Sequence, residues 1–330
     1  MSAARPPIAP PGSLRGRDLV SAADLAPAEV RLVFETAARL KAEFLVDRRH
    51  ANPPLIRRTL AMLFERPSLR TRVTFEAGMV QLGGHALQLT AGNVGWGTRE
   101  PVADVARNLE QFVDAIVVRT GPHAVAEELA ASAAIPVINA LTLREHPCQA
   151  LADVFTLREA FSATAGLVIA FIGDGNNVFH SLALTAAGQG IEVRLAHPPG
   201  YGPDASILAR ARALGAGMGG RVEVGEDPAA AVAGADVVYT DAWTSMGQED
   251  ETDARRSAFA AYQVNAALLA AAGPATRIMH CLPAHRGEEI TSDVMDGPRS
   301  LVFAQSENRL HVQKGLLVEL LGGPARTMAP

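Results

Sequence analysis

Thr59-Leu60-Ala61-Met62-Leu63-Phe64-Glu65-Arg66-Pro67-Ser68-Leu69-Arg70-Thr71-Arg72 passes from an apolar run through a polar turn into an amphipathic stretch. A short apolar run bounded by turn residues reads as a buried strand, and Ser68 after Pro67 reads as a helix start. A strand feeding straight into a helix is half of a βαβ unit, and repeated units build parallel sheet. The pattern recurs outward. Strands are expected at Thr59 to Phe64, Ala86 to Leu89, Ala115 to Arg119 and Pro136 to Asn139, with helices at Pro27 to Phe44, Ser68 to Leu82, Pro101 to Phe112 and Ala124 to Ala131. A second series has strands at Leu167 to Ile172, Ile191 to Ala196, Arg221 to Val224, Asp236 to Thr240 and Ile278 to Cys281, with a further one at Leu301 to Phe303. Helices should begin near Asn176, Asp204 and Pro228; His146 to Phe161 has helical spacing and bridges the two series, and Glu307 to Leu321 closes the chain. The fold class is therefore α/β, in two domains, each a parallel β-sheet flanked by helices, joined by interdomain helices.

Composition narrows the function. The chain has 330 residues, 48% of them hydrophobic, with 30 basic against 35 acidic side chains and a net charge of −5. A chain of this length can bury a large core and commonly divides in two. Its acidic balance argues against a broad nucleic-acid surface, although a local basic pocket is compatible with it. No run reaches the roughly 18 to 20 apolar residues of a membrane-spanning helix. Met1 to Arg17 is rich in proline and small residues, lacks an apolar signal core, and reads as a flexible tail. The two cysteines, Cys148 and Cys281, are too few for a disulfide framework or a four-cysteine zinc site. A reducing, cytoplasmic compartment is the expectation.

In open parallel sheets ligands bind at the carboxyl ends of strands, so the residues there carry the chemistry. Ser68 can cap the helix it opens, and the free N–H groups of that first turn, with Arg70 and Thr71, suit an anion. Arg70 offers a planar fork for phosphate, although a capped surface helix with solvated arginines would look the same. Arg119-Thr120 follows the third strand. His146-Pro147-Cys148-Gln149 follows the fourth, where an imidazole can donate to a carbonyl oxygen and Gln149 can both donate and accept. Gly173-Asp174-Gly175-Asn176-Asn177 begins like a dinucleotide fingerprint, but Val178 stands where the third glycine belongs and the next strand ends at His197. The two asparagines instead suit a small polar ligand. No GxxxxGK[ST] loop occurs, which counts against an ATP-dependent enzyme. Asp241 at a strand end could pair with a ligand ammonium or cap a turn. Gln248 to Arg256 is unpatterned, as in a mobile lid or a disordered loop. Cys281, in His280-Cys281-Leu282-Pro283, could be a nucleophile, a metal ligand or a polar contact, with polar contact ranked first. Leu282-Pro283 is a candidate cis peptide.

Together these stretches resemble the aspartate/ornithine carbamoyltransferase family, from about Leu19 to Leu321. The resemblance is carried by Ser68-Leu69-Arg70-Thr71-Arg72, the segments 113–120, 146–149, 173–177 and 241–247, then 280–283, and finally Glu307-Asn308-Arg309-Leu310-His311-Val312-Gln313-Lys314. Within the family, His-Pro-Cys-Gln, Ser-Met-Gly and His-Cys-Leu-Pro mark the ornithine branch.

The resemblance implies carbamoyl phosphate held by Ser68, Leu69, Arg70, Thr71, Arg119, His146, Gln149, Cys281, Leu282 and Arg309, and ornithine held by Asn177, Asp241, Ser245 and Met246. Arg70, Arg119, His146, Asp241 and Cys281 would act on the reacting atoms, with no metal and no cofactor. It implies a tail at 1–17, a carbamoyl-phosphate-binding domain at 18–147 plus the helix 307–322, and an ornithine-binding domain at 148–306. A homotrimer, or a multiple of trimers, is the implied assembly, with neither nucleic acid nor membrane as partner. Carbamoyl transfer to putrescine or to an N-acylated ornithine, or a catalytically silent regulatory member, are the alternatives. The chain departs from the family at Leu69, where threonine is common, so this residue offers phosphate only its backbone N–H. It departs again at Val94-Gly95-Trp96-Gly97, where the family often supplies a glutamine to a neighbouring subunit; a tryptophan here is similar to the acylornithine relatives.

Overall fold

The structure, a computed structural model, describes residues 13–244 and 248–322. The chain forms two compact units, one of residues 1–151 and 309–330 and one of residues 152–308.

The first unit carries α1 (Pro27–Asp47), β1 (Thr59–Phe64), α2 (Leu69–Gln81), β2 (His85–Thr90), α3 (Ala91–Val94), α4 (Val102–Leu109), β3 (Ala115–Arg119), α5 (His123–Ser132) and β4 (Val137–Leu141). Its four strands are parallel in the order β2-β1-β3-β4. A parallel sheet covered by helices must be apolar on both faces. Accordingly, Leu60, Ala61, Met62, Leu63 and Phe64 of β1 are all buried, and burying each large side chain contributes about 1.5 to 3 kcal/mol. Because β2 lies on one side of β1 and β3 on the other, the chain reverses direction of travel there. The resulting crevice lies beyond the paired residues Phe64 and Arg119.

The second unit carries β5 (Val168–Ile172), α7 (Asn177–Ala187), β6 (Glu192–Ala196), α8 (Ala205–Ala216), β7 (Arg221–Gly225), α9 (Pro228–Val232), β8 (Val237–Thr240), α10 (Thr252–Phe259), α11 (Ala266–Ala272), β9 (Arg277–His280) and α12 (Ser292–Met295). Its sheet is parallel in the order β7-β6-β5-β8-β9, so the reversal falls between β5 and β8, beyond the paired Ile172 and Thr240. The chain passes between the units inside α6 (Pro147–Phe161) and α13 (Val302–Leu321), which are the interdomain helices of the sequence reading.

Three expectations need correction. Leu301 to Phe303 is not a strand. The Ile278 N–H donates to the Arg299 carbonyl and the Leu301 N–H to the Ile278 carbonyl, around one isolated bridge at Ser300, and then α13 begins at Val302, five residues before the expected start. Phe303 is 66% exposed, so the apolar triplet has one buried member, Val302, and the helix-forming residues that follow decide the conformation. The stretch Gln248 to Arg256 is not an unpatterned loop: α10 forms there, and its Arg255 is buried in an ion pair with Asp174 at 2.7 Å and lies over the Tyr201 ring. Within the expected tail, Leu14 is fully buried, and Gly16 donates to the Leu320 carbonyl at 3.0 Å.

Candidate active site

In the first unit the crevice between β1 and β3 is lined as the strand-end argument requires. Ser68 caps α2, its Oγ accepting from the Thr71 N–H at 3.3 Å. The Thr71 hydroxyl oxygen then accepts from two arginines, Nη2 of Arg309 at 2.9 Å and Nη1 of Arg119 at 3.4 Å. Arg309 also donates to the Gln149 carbonyl oxygen. Thr71, Arg119, His146, Gln149 and Arg309 are all buried, whereas Leu69 is 75% exposed. Arg70 is half-buried.

Several positive charges therefore crowd one buried place. Burial and the repulsion of Arg309, Arg70 and Arg66 push Arg119 down to about 10, still protonated at neutral pH. Burial, reinforced by Arg309, Arg119 and Arg70, holds His146 well below the ordinary imidazole range, so the ring is neutral and offers an N–H without a positive charge. Such a cluster favours an anion on electrostatic grounds.

Glu65 binds the crevice's rim together. Its Oε1 accepts from Trp96 Nε1 at 3.2 Å and its Oε2 from the Gly121 N–H at 2.9 Å. Trp96 is 8% exposed and packs into the apolar core with Val102, Val105 and Val118. The tryptophan that departs from the family pattern is thus a core side chain anchored to the β1 exit. Cys148 is buried, donates to the Asn139 carbonyl at 3.4 Å, and has its thiol pushed up to about 12 by burial, so it is a packing residue.

In the second unit the residues beyond β5, β8 and β9 meet around one carboxylate. Asp241 Oδ1 accepts from the Cys281 thiol at 2.9 Å and from the Ala242 N–H at 2.8 Å, while its Oδ2 accepts from Asn176 Nδ2 at 3.0 Å. Asn176 also caps α7, its Oδ1 accepting from the N–H groups of Val178 and Phe179. Asn176 is therefore the asparagine that fixes Asp241, and Asn177, the residue named from sequence, is the buried first residue of α7. The glycine pattern has a local cause: a Cβ on Gly175 would lie 2.4 Å from the Pro203 nitrogen. It serves a close backbone approach, not a dinucleotide. Leu282-Pro283 is cis. Ser245 and Met246 lie outside the described residues.

Sequence reasoning missed a buried polar layer under this site. Gln305 accepts from the His280 N–H at 2.9 Å and donates to Asp153 Oδ1 at 2.7 Å and to the Tyr239 hydroxyl at 3.1 Å. No sequence signal marked it, because α6 and α13 also bury other polar side chains, among them Thr156, Asn308 and Gln313. Asp241, His280 and Cys281 also bring potential metal-binding atoms together, as do His285, Glu288 and Glu289. Hydrogen bonds engage both ring nitrogens of His280, so the first set fits a thiol–carboxylate contact better than a metal centre.

Comparison with known proteins assigns each unit separately. Residues 17–159 match the carbamoyl-P binding domain of aspartate/ornithine carbamoyltransferase, and residues 165–320 match its Asp/Orn binding domain. The ornithine carbamoyltransferase of Anoxybacillus flavithermus is 49% identical over 308 residues, covering 93% of this chain and 98% of that protein. That of Acidothermus cellulolyticus is 50% identical over 298 residues, covering 90% and 94%. The solved ornithine carbamoyltransferase of Pyrococcus furiosus has a TM-score of 0.91 at 47% identity, covering 94% of this chain and 99% of that one. Identity at this level over nearly the whole length, spanning both domain models, means that the chain belongs to the aspartate/ornithine carbamoyltransferase family.

Proposed function

We propose that this chain transfers the carbamoyl group of carbamoyl phosphate to the side-chain amine of L-ornithine, giving L-citrulline and phosphate. The observation that carries the reading is the crowding of Arg70, Arg119 and Arg309 at the β1–β3 crevice, where burial first and then mutual repulsion depress Arg119 to about 10. Charges so arranged call for a compact dianion, and the ornithine-type relatives supply the rest of the reading.

In this reading the helix N-terminus at Ser68, Leu69, Arg70 and Thr71 receives the phosphate, with Arg309 and Gln149 completing its shell. Arg119 and neutral His146 donate to the carbonyl oxygen, where negative charge develops as the amine adds. Removing one such donor typically costs about 3 to 4 kcal/mol. The neutral amine attacks the carbonyl carbon, forming the C–N bond. The tetrahedral intermediate then breaks its C–O bond, and phosphate departs with the electron pair and takes up the amine's extra proton. Deprotonating an amine of reference pKa near 10.4 at pH 7 costs roughly 4 to 5 kcal/mol. Asp241, with Cys281, would hold and orient that amine, while Asn177, Ser245 and Met246 would hold the rest of ornithine and Leu282 would approach the carbamoyl group. No covalent enzyme adduct is required.

A homotrimer is also proposed. Leu69, Val73 and Val80 leave an exposed apolar stripe on α2, which suits contact with another copy. Light scattering should give three times the 34.7-kDa chain mass or a multiple of that, and a monomer would refute it. A cytoplasmic enzyme of arginine formation is the proposed setting; among the described residues no helix is long and apolar enough to cross a membrane.

The activity test is an initial-rate assay of the purified chain with carbamoyl phosphate and, separately, ornithine, putrescine and N-acetylornithine. Ureido product with ornithine at the highest kcat/KM is expected. Product only with another amine, or with none, contradicts the reading.

A further inference from the structure

Cys281 and Leu282 stand at the exit of β9, and the conformation of this exit is set from behind by a carboxylate. Glu289 is fully buried. Its Oε1 accepts from His280 Nε2 at 3.0 Å and from the His285 N–H at 2.6 Å. On the opposite edge of the same ring, His280 Nδ1 accepts from the Leu282 N–H at 2.9 Å. These contacts determine the tautomer, because a ring nitrogen that accepts a backbone N–H carries no proton, so the proton of the neutral ring is on Nε2 and points at Glu289. Leu282 needs such a restraint. Its φ is 62°, in the left-handed region that a leucine seldom adopts.

Burying a carboxylate against two histidines is a poor route to stability, since desolvation offsets most of the attraction. What the arrangement supplies is geometry: one carboxylate, one imidazole and one backbone N–H in line, ending at a residue placed by the transfer reading against the carbamoyl group. We infer that Glu289 is a positioning residue for carbamoyl transfer, acting through the His280 ring to hold the Leu282 backbone. The role rests on the transfer reaction proposed above. Neither Glu289 nor His280 touches substrate.

Two variants and one spectrum test it. Glu289→Ala should lower kcat about 100-fold, the typical effect of a small misplacement at a reacting centre, while the Kd for inorganic phosphate stays within about twofold. Glu289→Gln keeps an amide oxygen that accepts from both N–H groups, and should recover kcat to within about fivefold of wild type. In the wild-type enzyme with 15N-labelled histidine, the His280 signal at pH 8 should show a protonated Nε2 and a bare Nδ1. That measurement decides the matter if the alanine variant does not fold. A folded Glu289→Ala enzyme with wild-type kcat, a Glu289→Gln enzyme as impaired as the alanine variant, phosphate affinity falling by the same factor as kcat, or a ring protonated on Nδ1 would each overturn the role. Wild-type protein inert toward ornithine would instead overturn the transfer reading, and this role with it. An active wild type with unaffected variants overturns the role alone.

Discussion

Arg309 Nη2 donates to the Thr71 hydroxyl at 2.9 Å, although 238 positions separate the two residues. Thr71 lies in the first turn of a helix that opens at a strand end, and Arg309 lies in the C-terminal helix. Arg119 donates to the same oxygen. One small hydroxyl thus keeps two guanidinium groups in register, which is the preorganisation that electrostatic catalysis depends on.

Thr71→Val removes that shared acceptor while keeping the side chain's shape. The Kd for carbamoyl phosphate should rise about tenfold, the loss of a hydrogen bond to a charged donor, with thermal unfolding little changed. Calorimetric titration measures it. Unchanged affinity would show that the arginines do not rely on Thr71.

His146 is neutral in the folded enzyme because burial and three arginines disfavour its charged form. His146→Ala should therefore lose a hydrogen-bond donor without losing a charge, lowering kcat about 100- to 1000-fold. Its KM for carbamoyl phosphate should change far less. A variant impaired mainly in KM would place His146 on the phosphate and not on the carbonyl oxygen.

Cys281 donates its thiol proton to Asp241. Cys281→Ser keeps a donor at that point and should retain kcat within about tenfold, with the change falling mostly on the KM for ornithine; a neutral hydrogen bond is worth about 1 kcal/mol. Complete loss of turnover, or a carbamoylated cysteine trapped on the wild-type enzyme, would reveal a nucleophile.

His311 is buried and its imidazole is pushed from 6.5 down to about 3, by burial first and then by Lys314 and Lys41. The unfolded chain binds this proton below pH 6.5 and the folded chain does not, so stability is full above about 6.5 and falls as the pH drops. At pH 5 the loss amounts to about 2 kcal/mol. His146 and His50, also shifted down, add in the same direction. Urea unfolding at pH 7.5 and pH 5.0 should show His311→Gln losing about 2 kcal/mol less than wild type between the two conditions. Parallel losses would contradict the assignment.

Most strands, and the residues gathered at their exits, were legible because apolar runs ending in Arg119, Asp241 or Cys281 report both a buried strand and its exit. The polar layer was not. Gln305 stands 25 positions from His280 and 152 from Asp153, and a polar residue within an amphipathic stretch looks the same whether it faces water or a buried network. The place of Trp96 was hidden for a related reason: only the fold brings Glu65 to its indole N–H. Leu301 to Phe303 failed because three apolar residues satisfy a strand and a helix start equally well.

The central claim is direct carbamoyl transfer to ornithine, and rapid-quench analysis of the wild-type enzyme with 14C-carbamoyl phosphate, with and without ornithine, tests it most directly. Labelled citrulline and phosphate should appear together in equal amounts from the first turnover, and neither should form without ornithine. Phosphate released in one equivalent per site before citrulline, or no labelled citrulline from ornithine, would contradict the account.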